Sequence, residues 1–245
     1  VIGSVGEPIN EEAWHWYNDH VGGKRCPVVD TWWQTETGGI MISPIAFVTP
    51  TKPTYASLPL PGIQPVLMDE KRNEIEGNQV GGSLCIKFPW PGIARTIWGD
   101  HERYKQTYFS TFPGKYFTGD GAIRDEVGYY RITGRVDDVV IVSGHNLGTA
   151  PIEDAINEHP AVAESAIVGF PHDVKGNALY GFVILKETGE SRAKENLIKE
   201  INQHVSDHIG PIAKLDKIQF VSGLPKTRSG KIMRRILRKI AEGDF

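Results

Sequence analysis

Aromatic, hydroxyl, carboxylate and glycine residues follow one another in a segment that could serve a nucleotide. An apolar stretch that begins at Pro27 leads into residues 30–35, which include two adjacent tryptophans, and then into Glu36 and a Gly-Gly pair. Such a sequence offers an apolar wall beside polar groups that could hold a nucleotide or a metal-bound phosphate. The same residues also suit a plain strand that ends in a glycine turn and keeps its tryptophans in the core.

A basic segment near the C-terminus offers a second kind of chemistry. Lys231 follows a Ser-Gly pair and is predicted to open a helix, where free backbone N–H groups and a cation could both face an anion. The segment is not a Walker loop, because position 225 is proline and position 232 is isoleucine. Residues 226–239 carry seven Lys or Arg and no acid, so nucleic-acid binding is an alternative. Isoleucines spaced four residues apart favour a docked helix with a solvated basic face instead.

Short glycine-containing motifs in the middle of the chain could contact a sugar or a phosphate. Asp120 follows a Thr-Gly turn, and a carboxylate can accept hydrogen bonds from both hydroxyls of a ribose diol. Arg135 suits phosphate or ribose oxygens. A few residues later, Ser143 directly precedes a Gly-His pair. Each motif is also common in ordinary turns, so its interpretation depends on the others.

The elements that must position these residues change in character near Asp137. Before it, a helix from Asn10 and an apolar strand are followed by short strands punctuated by glycine and proline, which predicts a curved or barrel-like β region. After it, longer helices alternate with strands in a compact α+β pattern. We predict a mixed α/β chain with domains at residues 1–136 and 137–245. The predicted strands are 27–33, 64–68, 83–88, 129–132, 165–170, 180–185 and 217–221, and the predicted helices are 10–23, 100–108, 149–159, 191–208 and 229–241.

The bulk composition limits the classes of partner. The formal net charge is −3, with 40% hydrophobic and 23% charged residues, and gives no global reason to expect nucleic acid or a membrane. Cys26 and Cys85 lie far apart in no metal or redox spacing, which fits free thiols in a cytoplasmic protein, although a single disulfide is also compatible. The longest apolar run, residues 139–142, is strand-sized. The start lacks methionine and a signal-peptide pattern, so we expect a fragment.

Taken in order, these motifs resemble the acyl-adenylate-forming superfamily, which includes acyl-CoA synthetases, luciferases and peptide-synthetase adenylation domains. The resemblance covers almost the whole chain, and its most specific motifs are Trp-Trp-Gln-Thr-Glu-Thr-Gly-Gly and Pro-Lys-Thr-Arg-Ser-Gly-Lys-Ile-Met-Arg-Arg. It is closest to the AMP-forming acetate–CoA ligases. It implies the C-terminal part of a large adenylate-forming domain, followed by a small mobile domain. The implied reaction uses acetate, ATP, coenzyme A and Mg²⁺ and passes through acetyl-AMP.

The resemblance also implies a role for each matching residue. Lys231 would reach the carboxylate and the α-phosphate during adenylation, and Glu36 would hold the magnesium of Mg-ATP. Asp120 would bind the ribose hydroxyls, Arg135 would contact ribose or phosphate, and Ser143 would contact coenzyme A. The remaining implied nucleotide contacts are Gly6, Glu7 and Pro8 in the adenine pocket and Asp30, Thr31, Trp32, Trp33, Gln34 and Thr35 in the wall beside it.

Four further expectations follow from the resemblance. Trp33 would floor the acyl pocket and restrict it to acetate, because an indole fills the volume that a longer chain needs. Asp137 would be the hinge about which the small domain rotates between the half-reactions. A cation site would use Asn157, His159 and Val162 through two backbone carbonyls and the histidine ring, although a histidine that caps the end of a helix explains the same residues. Acetylation of Lys231 by an acetyltransferase, reversed by a deacetylase, would stop adenylation.

The chain departs from the family pattern at two positions and lacks one segment. Asn146 and Ser206 stand where relatives usually carry arginines that address phosphate and coenzyme A, and an amide makes a weaker hydrogen bond than a charged group. The Ser/Thr/Gly-rich loop that cradles pyrophosphate in this family is not among these residues, so we expect no adenylation by this fragment alone. A nucleotide sensor without catalysis and a basic interaction module remain the alternative functions.

Overall fold

The computed structural model describes residues 1–143, 145–228 and 230–244, with Asn146 described by its backbone alone. The chain divides into two compact units, Val1–Val136 and Asp137–Phe245. Each is built around its own buried core.

The first unit begins with a short parallel strand pair and a helix. Strand β1 (Ile2–Ser4) pairs with β2 (Val28–Asp30), and α1 (Glu11–Trp16) lies between them in sequence. Asn10 caps α1, because its side chain accepts a hydrogen bond from the N–H of Ala13. The predicted helix of residues 10–23 is therefore present, but its second half, Tyr17–Val21, is wound as a π-helix.

The larger part of the first unit is an open antiparallel sheet of five strands. Its spatial order is β4-β3-β5-β6-β7, and its longest strand, β6, packs beside helix α2, which Asp100 caps through its side chain. The core behind it contains Leu67, Leu84 and Ile86, all fully buried. The outer strands, β4 and β7, do not pair with each other, and Tyr130 of β7 forms an isolated bridge with Ser57, so within the described residues the predicted barrel-like region is an open sheet. The bounds are β3 Pro65–Met68, β4 Glu74–Ile75, β5 Val80–Ile86, α2 His101–Phe109, β6 Tyr116–Arg124 and β7 Tyr130–Arg135.

The second unit is a five-stranded sheet with helices on both faces. Strand β10 alternates between two cores: Ile167 packs with α3 and α5, whereas Ala166 and Val168 pack with Leu237 of α6. This alternation follows from the two-residue period of a strand. The order is β10-β11-β8-β9, with β12 parallel to β11. The bounds are β8 Val140–Val142, β9 His145–Leu147, α3 Thr149–Asn157, β10 Val162–His172, β11 Gly176–Leu185, α4 Glu187–Glu190, α5 Lys194–His208, β12 Lys217–Phe220 and α6 Arg234–Glu242.

One helix start in the second unit differs clearly from the prediction. Helix α3 begins at Thr149 as predicted, with Gly148 at the capping position and no side-chain cap. Helix α6 begins at Arg234 and not at residue 229, because the preceding residues fold back on themselves. Lys226 and Ile232 form an antiparallel bridge, and the N–H of Met233 donates to the carbonyl of Pro225. The prediction that Lys231 opens a helix is therefore wrong.

Across the described residues, the helices are too short or too polar to cross a lipid bilayer.

Candidate active site

The first unit brings several of the predicted nucleotide residues together around one carboxylate. Asp120 is only 7% exposed, and its Oδ2 accepts hydrogen bonds from Trp32 Nε1 at 3.1 Å and Gln34 Nε2 at 3.0 Å. Its Oδ1 lies 3.4 Å from Arg135 Nη1. Gln34 and Arg135 each donate a further hydrogen bond to the carbonyl of Thr118, which connects both side chains to strand β6. The orientation of the carboxylate is thus set by three side chains from two separate parts of the sequence.

Strand pairing and one glycine place these groups. Asp120 and Arg135 are register partners in β6 and β7, so their side chains leave adjacent positions of the sheet edge. Gly119 has a φ of 74°, and a Cβ there would lie 2.4 Å from Arg135 Nη2. A glycine is therefore required both by the left-handed backbone and by the close approach of the guanidinium.

Two tyrosines that sequence analysis did not single out support this cluster. Tyr116 donates its hydroxyl to Gln34 Oε1 at 2.9 Å, so that the Gln34 amide is held from both ends. Tyr108 stacks on Tyr116 with a centroid distance of 5.2 Å and donates its hydroxyl to Glu36 Oε1. Burial and the Glu36 carboxylate raise the pKa of Tyr108, which keeps the hydroxyl protonated as a donor. The four-residue spacing of Tyr104 and Tyr108 on one helix face was the available sequence signal.

The other predicted residues of the first unit lie in strand β2 or in the segments that follow β1 and β2 in sequence. Thr31 donates both its N–H and its hydroxyl to the carbonyl of Ser4, at 3.1 and 3.2 Å. Asp30 is buried, and this burial raises its pKa to about 7. Gly6 has a φ of 105°, with Glu7 half-buried and Pro8 exposed after it. Thr35 and Trp33 are exposed, the indole of Trp33 by 43%.

In the second unit, Lys231 and Ser143 lie outside the helices and strands. Lys231 is exposed, and its backbone is held by Thr227 through N–H to Oγ1 at 3.1 Å and carbonyl to N–H at 2.8 Å. Ser143 is exposed with a φ of 49°, and its N–H donates to the carbonyl of Lys175. Gly144 and Ser229, which flank these two residues, and the side chain of Asn146 lie outside the described part of the chain.

The three residues of the predicted cation site lie at the end of α3 and the start of β10. Asn157 Oδ1 accepts from Ser165 Oγ at 2.9 Å. The His159 ring accepts from the N–H of Ala161 through Nδ1, and its Nε2 lies 3.6 Å from a Glu200 carboxylate oxygen. Burial, and then the neighbouring His204, lower the pKa of His159. Val162 is fully buried and donates its N–H to the His159 carbonyl.

Comparison with known proteins assigns the family. The family model of the AMP-binding enzymes matches residues 1–98, and that of their C-terminal domain matches residues 151–231. The chain belongs to the AMP-binding enzyme family. The predicted mixed α/β fold is confirmed with it.

Individual relatives show which members of the family the chain is similar to. The acetyl-coenzyme A synthetases of Syntrophobacter fumaroxidans and Sinorhizobium medicae are 59% and 60% identical over the whole chain. The chain spans 37% of the length of each. Among solved structures, an anthranilate CoA ligase in complex with anthranoyl-AMP matches with a TM-score of 0.84 at 28% identity, over 98% of this chain and 44% of that one. An ATP-bound RpMatB-BxBclM chimera matches with a TM-score of 0.83 at 28% identity, over 97% of this chain and 44% of the chimera.

Proposed function

We propose that the protein to which this chain belongs is an AMP-forming acetate–CoA ligase. It would join acetate to the α-phosphate of ATP with loss of pyrophosphate, and would then transfer the acetyl group to the thiol of coenzyme A with loss of AMP. Support comes from relatives named acetyl-coenzyme A synthetase at about 60% identity over every residue of the chain. The observation that carries the proposal is the carboxylate of Asp120, oriented by Trp32, Gln34 and Arg135.

In the adenylation step the first unit would bind the nucleotide and the second would supply a cation. An oriented, acceptor-only carboxylate such as Asp120 suits the two hydroxyls of ribose. The ammonium of Lys231 would neutralise the charge that gathers between the acetate oxygen and the α-phosphate. Such electrostatic stabilisation is often worth about 3 kcal/mol of barrier per group. The exposed position of Lys231 on a tight loop is consistent with this role.

Glu36 is the residue that would hold Mg²⁺. Its carboxylate is half-buried and keeps a fixed orientation through the Tyr108 hydroxyl, and hard oxygen donors of this kind suit Mg²⁺. When bound, the ion would neutralise part of the charge of the ATP phosphates. Tyr108 in turn would keep the Glu36 side chain from turning away when no ion is present.

Coenzyme A would use the second unit in the thioester step, with Ser143 as the proposed contact. The cation site at Asn157, His159 and Val162 also stays a proposal. Acetylation of Lys231 by an acetyltransferase of the cytoplasm, reversed by a deacetylase, would remove the ammonium and stop adenylation. Mass spectrometry of the purified full-length protein tests this idea, because fully acetylated protein with full adenylation activity contradicts it.

The substrate assignment rests on Trp33. Trp33 is 43% exposed and lies between Trp32 and Gln34 in the sequence, and an indole at the floor of the acyl pocket would exclude acids longer than acetate. In the full-length protein we expect Trp33→Gly to raise kcat/KM for four- and five-carbon acids and to lower it for acetate. A change of about tenfold is expected for each excluded methylene.

Trp98 provides a matched control for this experiment, because it is a tryptophan of the same unit with 98% of its surface exposed. Trp98→Gly is expected to leave the chain-length preference unchanged. A Trp33→Gly enzyme that gains nothing with longer acids, while still active with acetate, would overturn the acyl-pocket assignment. A full-length protein that forms no acetyl-AMP would overturn the function itself.

A further inference from the structure

Three side chains of metal-binding types converge in the second unit, beside the predicted cation site but with none of its residues. Glu158 follows the last residue of α3, and His204 and His208 lie in the last two turns of α5. Histidines four residues apart share one face of a helix, and α3 packs on α5. A carboxylate at the end of α3 therefore faces two imidazoles on α5.

The distances between these ligand atoms suit a single metal ion. Glu158 Oε2 lies 3.7 Å from His204 Nε2 and 3.5 Å from His208 Nε2. All three ligand atoms lie within 4.8 Å of one another. In a tetrahedral zinc site with bonds of about 2.1 Å, neighbouring ligand atoms are roughly 3.4 Å apart. Small side-chain rotations would complete three corners of such a site.

The hydrogen bonds of the histidines leave the facing ring nitrogens for a cation. His208 Nδ1 lies 2.8 Å from the carbonyl oxygen of His204, which can only accept, so Nδ1 carries a proton. A neutral His208 then presents the lone pair of Nε2 to the carboxylate. His204 Nε2 is buried and has no hydrogen-bond partner among the described residues. A backbone carbonyl that holds the far nitrogen of a histidine is also the usual outer partner of a metal ligand.

We propose that Glu158, His204 and His208 bind a divalent transition-metal ion of the Zn²⁺ type and thereby tie the end of α3 to α5. Two imidazoles and one carboxylate favour such an ion over Mg²⁺ or Ca²⁺, which prefer oxygen donors alone. In the described part of the chain, this is the one group of three such side chains that converges so closely. The side chains are 26% to 45% exposed, so the cluster lies near the surface, where an ion can reach it from solvent.

Titration of the 245-residue chain, carrying no histidine tag, with ZnCl₂ in a calorimeter tests the site. We expect one saturable Zn²⁺ per chain and a rise in the thermal unfolding midpoint when it is bound. His204→Ala and His208→Ala are each expected to weaken binding about tenfold or more, with circular dichroism as the check on folding. His15→Ala is the matched control, because His15 faces Glu11 at 3.7 Å one helical turn away, without a third ligand in the described structure.

His159→Ala separates this site from the predicted one at Asn157, His159 and Val162. We expect it to weaken Zn²⁺ binding less than either α5 variant does. The proposal is overturned if the chain binds no Zn²⁺, if both α5 variants still bind Zn²⁺ with undiminished affinity, or if binding depends on His159 alone. Co²⁺ bound to the unmutated chain gives a readout free of any folding defect. Strong visible absorption of a four-coordinate ion, displaced by one equivalent of Zn²⁺, supports the site, and the weak spectrum of a solvated ion contradicts it.

Discussion

Two buried aspartates of the first unit show how hydrogen-bond donors decide the state of a carboxylate. Asp30 and Asp120 are both 7% exposed. Asp120 is surrounded by the indole N–H of Trp32, the amide of Gln34 and the guanidinium of Arg135, which together favour its charged form. At Asp30 burial dominates, opposed only by a backbone N–H bond from Thr31, and the pKa rises to about 7. The charged form of Asp30 therefore carries a folding cost.

This difference predicts a pH-dependent stability that Asp30→Asn removes. Because the folded-state pKa of Asp30, about 7, lies above its unfolded value of 3.8, the folded chain binds this proton more tightly. The contribution of Asp30 to stability is therefore fully present below about pH 4 and is lost as pH rises to about 7. Relative to the original chain, Asp30→Asn should gain free energy of unfolding over that range, by up to about 4 kcal/mol. Urea unfolding at pH 5, 6, 7 and 8 measures this gain.

Asp125 offers a control with the opposite sign. Although burial acts to raise the pKa of Asp125, its ion pair with Lys52 and two backbone N–H bonds outweigh it and lower the pKa. Asp125→Asn should thus destabilise the chain at neutral pH, and this loss should shrink as the pH falls into the acid range. If Asp30→Asn showed no gain at pH 8, or a gain that did not depend on pH, the account of Asp30 would be refuted.

The arrangement around Asp120 could be anticipated from the sequence only in part. The Trp-Trp-Gln-Thr-Glu motif and the two glycine motifs drew attention to Trp32, Gln34, Asp120 and Arg135 because each type suits a nucleotide. Tyr108 and Tyr116 were missed, since a buried tyrosine that orients an amide or a carboxylate has the same local pattern as a tyrosine in a core. Only the fold, which brings residues more than 70 positions apart into contact, reveals their role.

Among the elements, strands and helices with a strong apolar pattern were predicted better than their ends. The strands predicted at 165–170 and 180–185 are present but longer, Val162–His172 and Gly176–Leu185, because pairing extends them through polar residues. The loop before α6 was predicted as helix from its residue types. Its backbone instead closes a small antiparallel turn between Lys226 and Ile232, a contact that propensity alone does not encode.

Helix α6 is fixed to the second unit by ion pairs, which also reduce its basic character. Arg234 pairs with Glu153 of α3 at 2.7 Å, and Arg238 pairs with Asp138 at 2.7 Å. Lys226 and Lys239 pair with acidic neighbours as well. At least four of the seven basic residues between 226 and 239 are thus matched by carboxylates, which weakens the case for a nucleic-acid surface.

The buried ion pair of Arg234 and Glu153 predicts a large difference in stability between two similar substitutions. Glu153 is buried and also accepts the N–H of Ile167, so Arg234→Met would leave its charge without the guanidinium that offsets it. We expect a loss of about 3–5 kcal/mol in the free energy of unfolding. Lys226→Met breaks the more exposed pair with Glu164 and should cost less than about 1 kcal/mol. Chemical denaturation measures the free energy of unfolding of both variants. Equal losses would show that the burial of Glu153 does not determine how much its ion pair with Arg234 contributes to stability.

At the scale of the whole molecule, the chain separates into two units between Val136 and Asp137. A 3₁₀ turn, Val136–Asp138, spans this point. Arg238 of α6 donates to the Asp137 carbonyl and to the Asp138 carboxylate, so the second half of the turn is held by the second unit. Backbone rotation would accordingly concentrate at the start of the turn. That this point acts as a hinge between the half-reactions stays a prediction.

Asp137→Pro in the full-length protein tests that prediction, because proline fixes φ near −65° and also restricts the residue before it. If the second unit must turn about residue 137 after adenylation, the variant should retain acetate-dependent exchange of pyrophosphate into ATP. Its rate of thioester formation should fall about a hundredfold, which is the size of effect that misplaced reacting groups can have. Asp137→Ala, which removes the same carboxylate but leaves the backbone free, should keep both half-reactions. Equal loss of exchange and thioester formation in the proline variant would mean that residue 137 supports the fold of the turn and not its rotation.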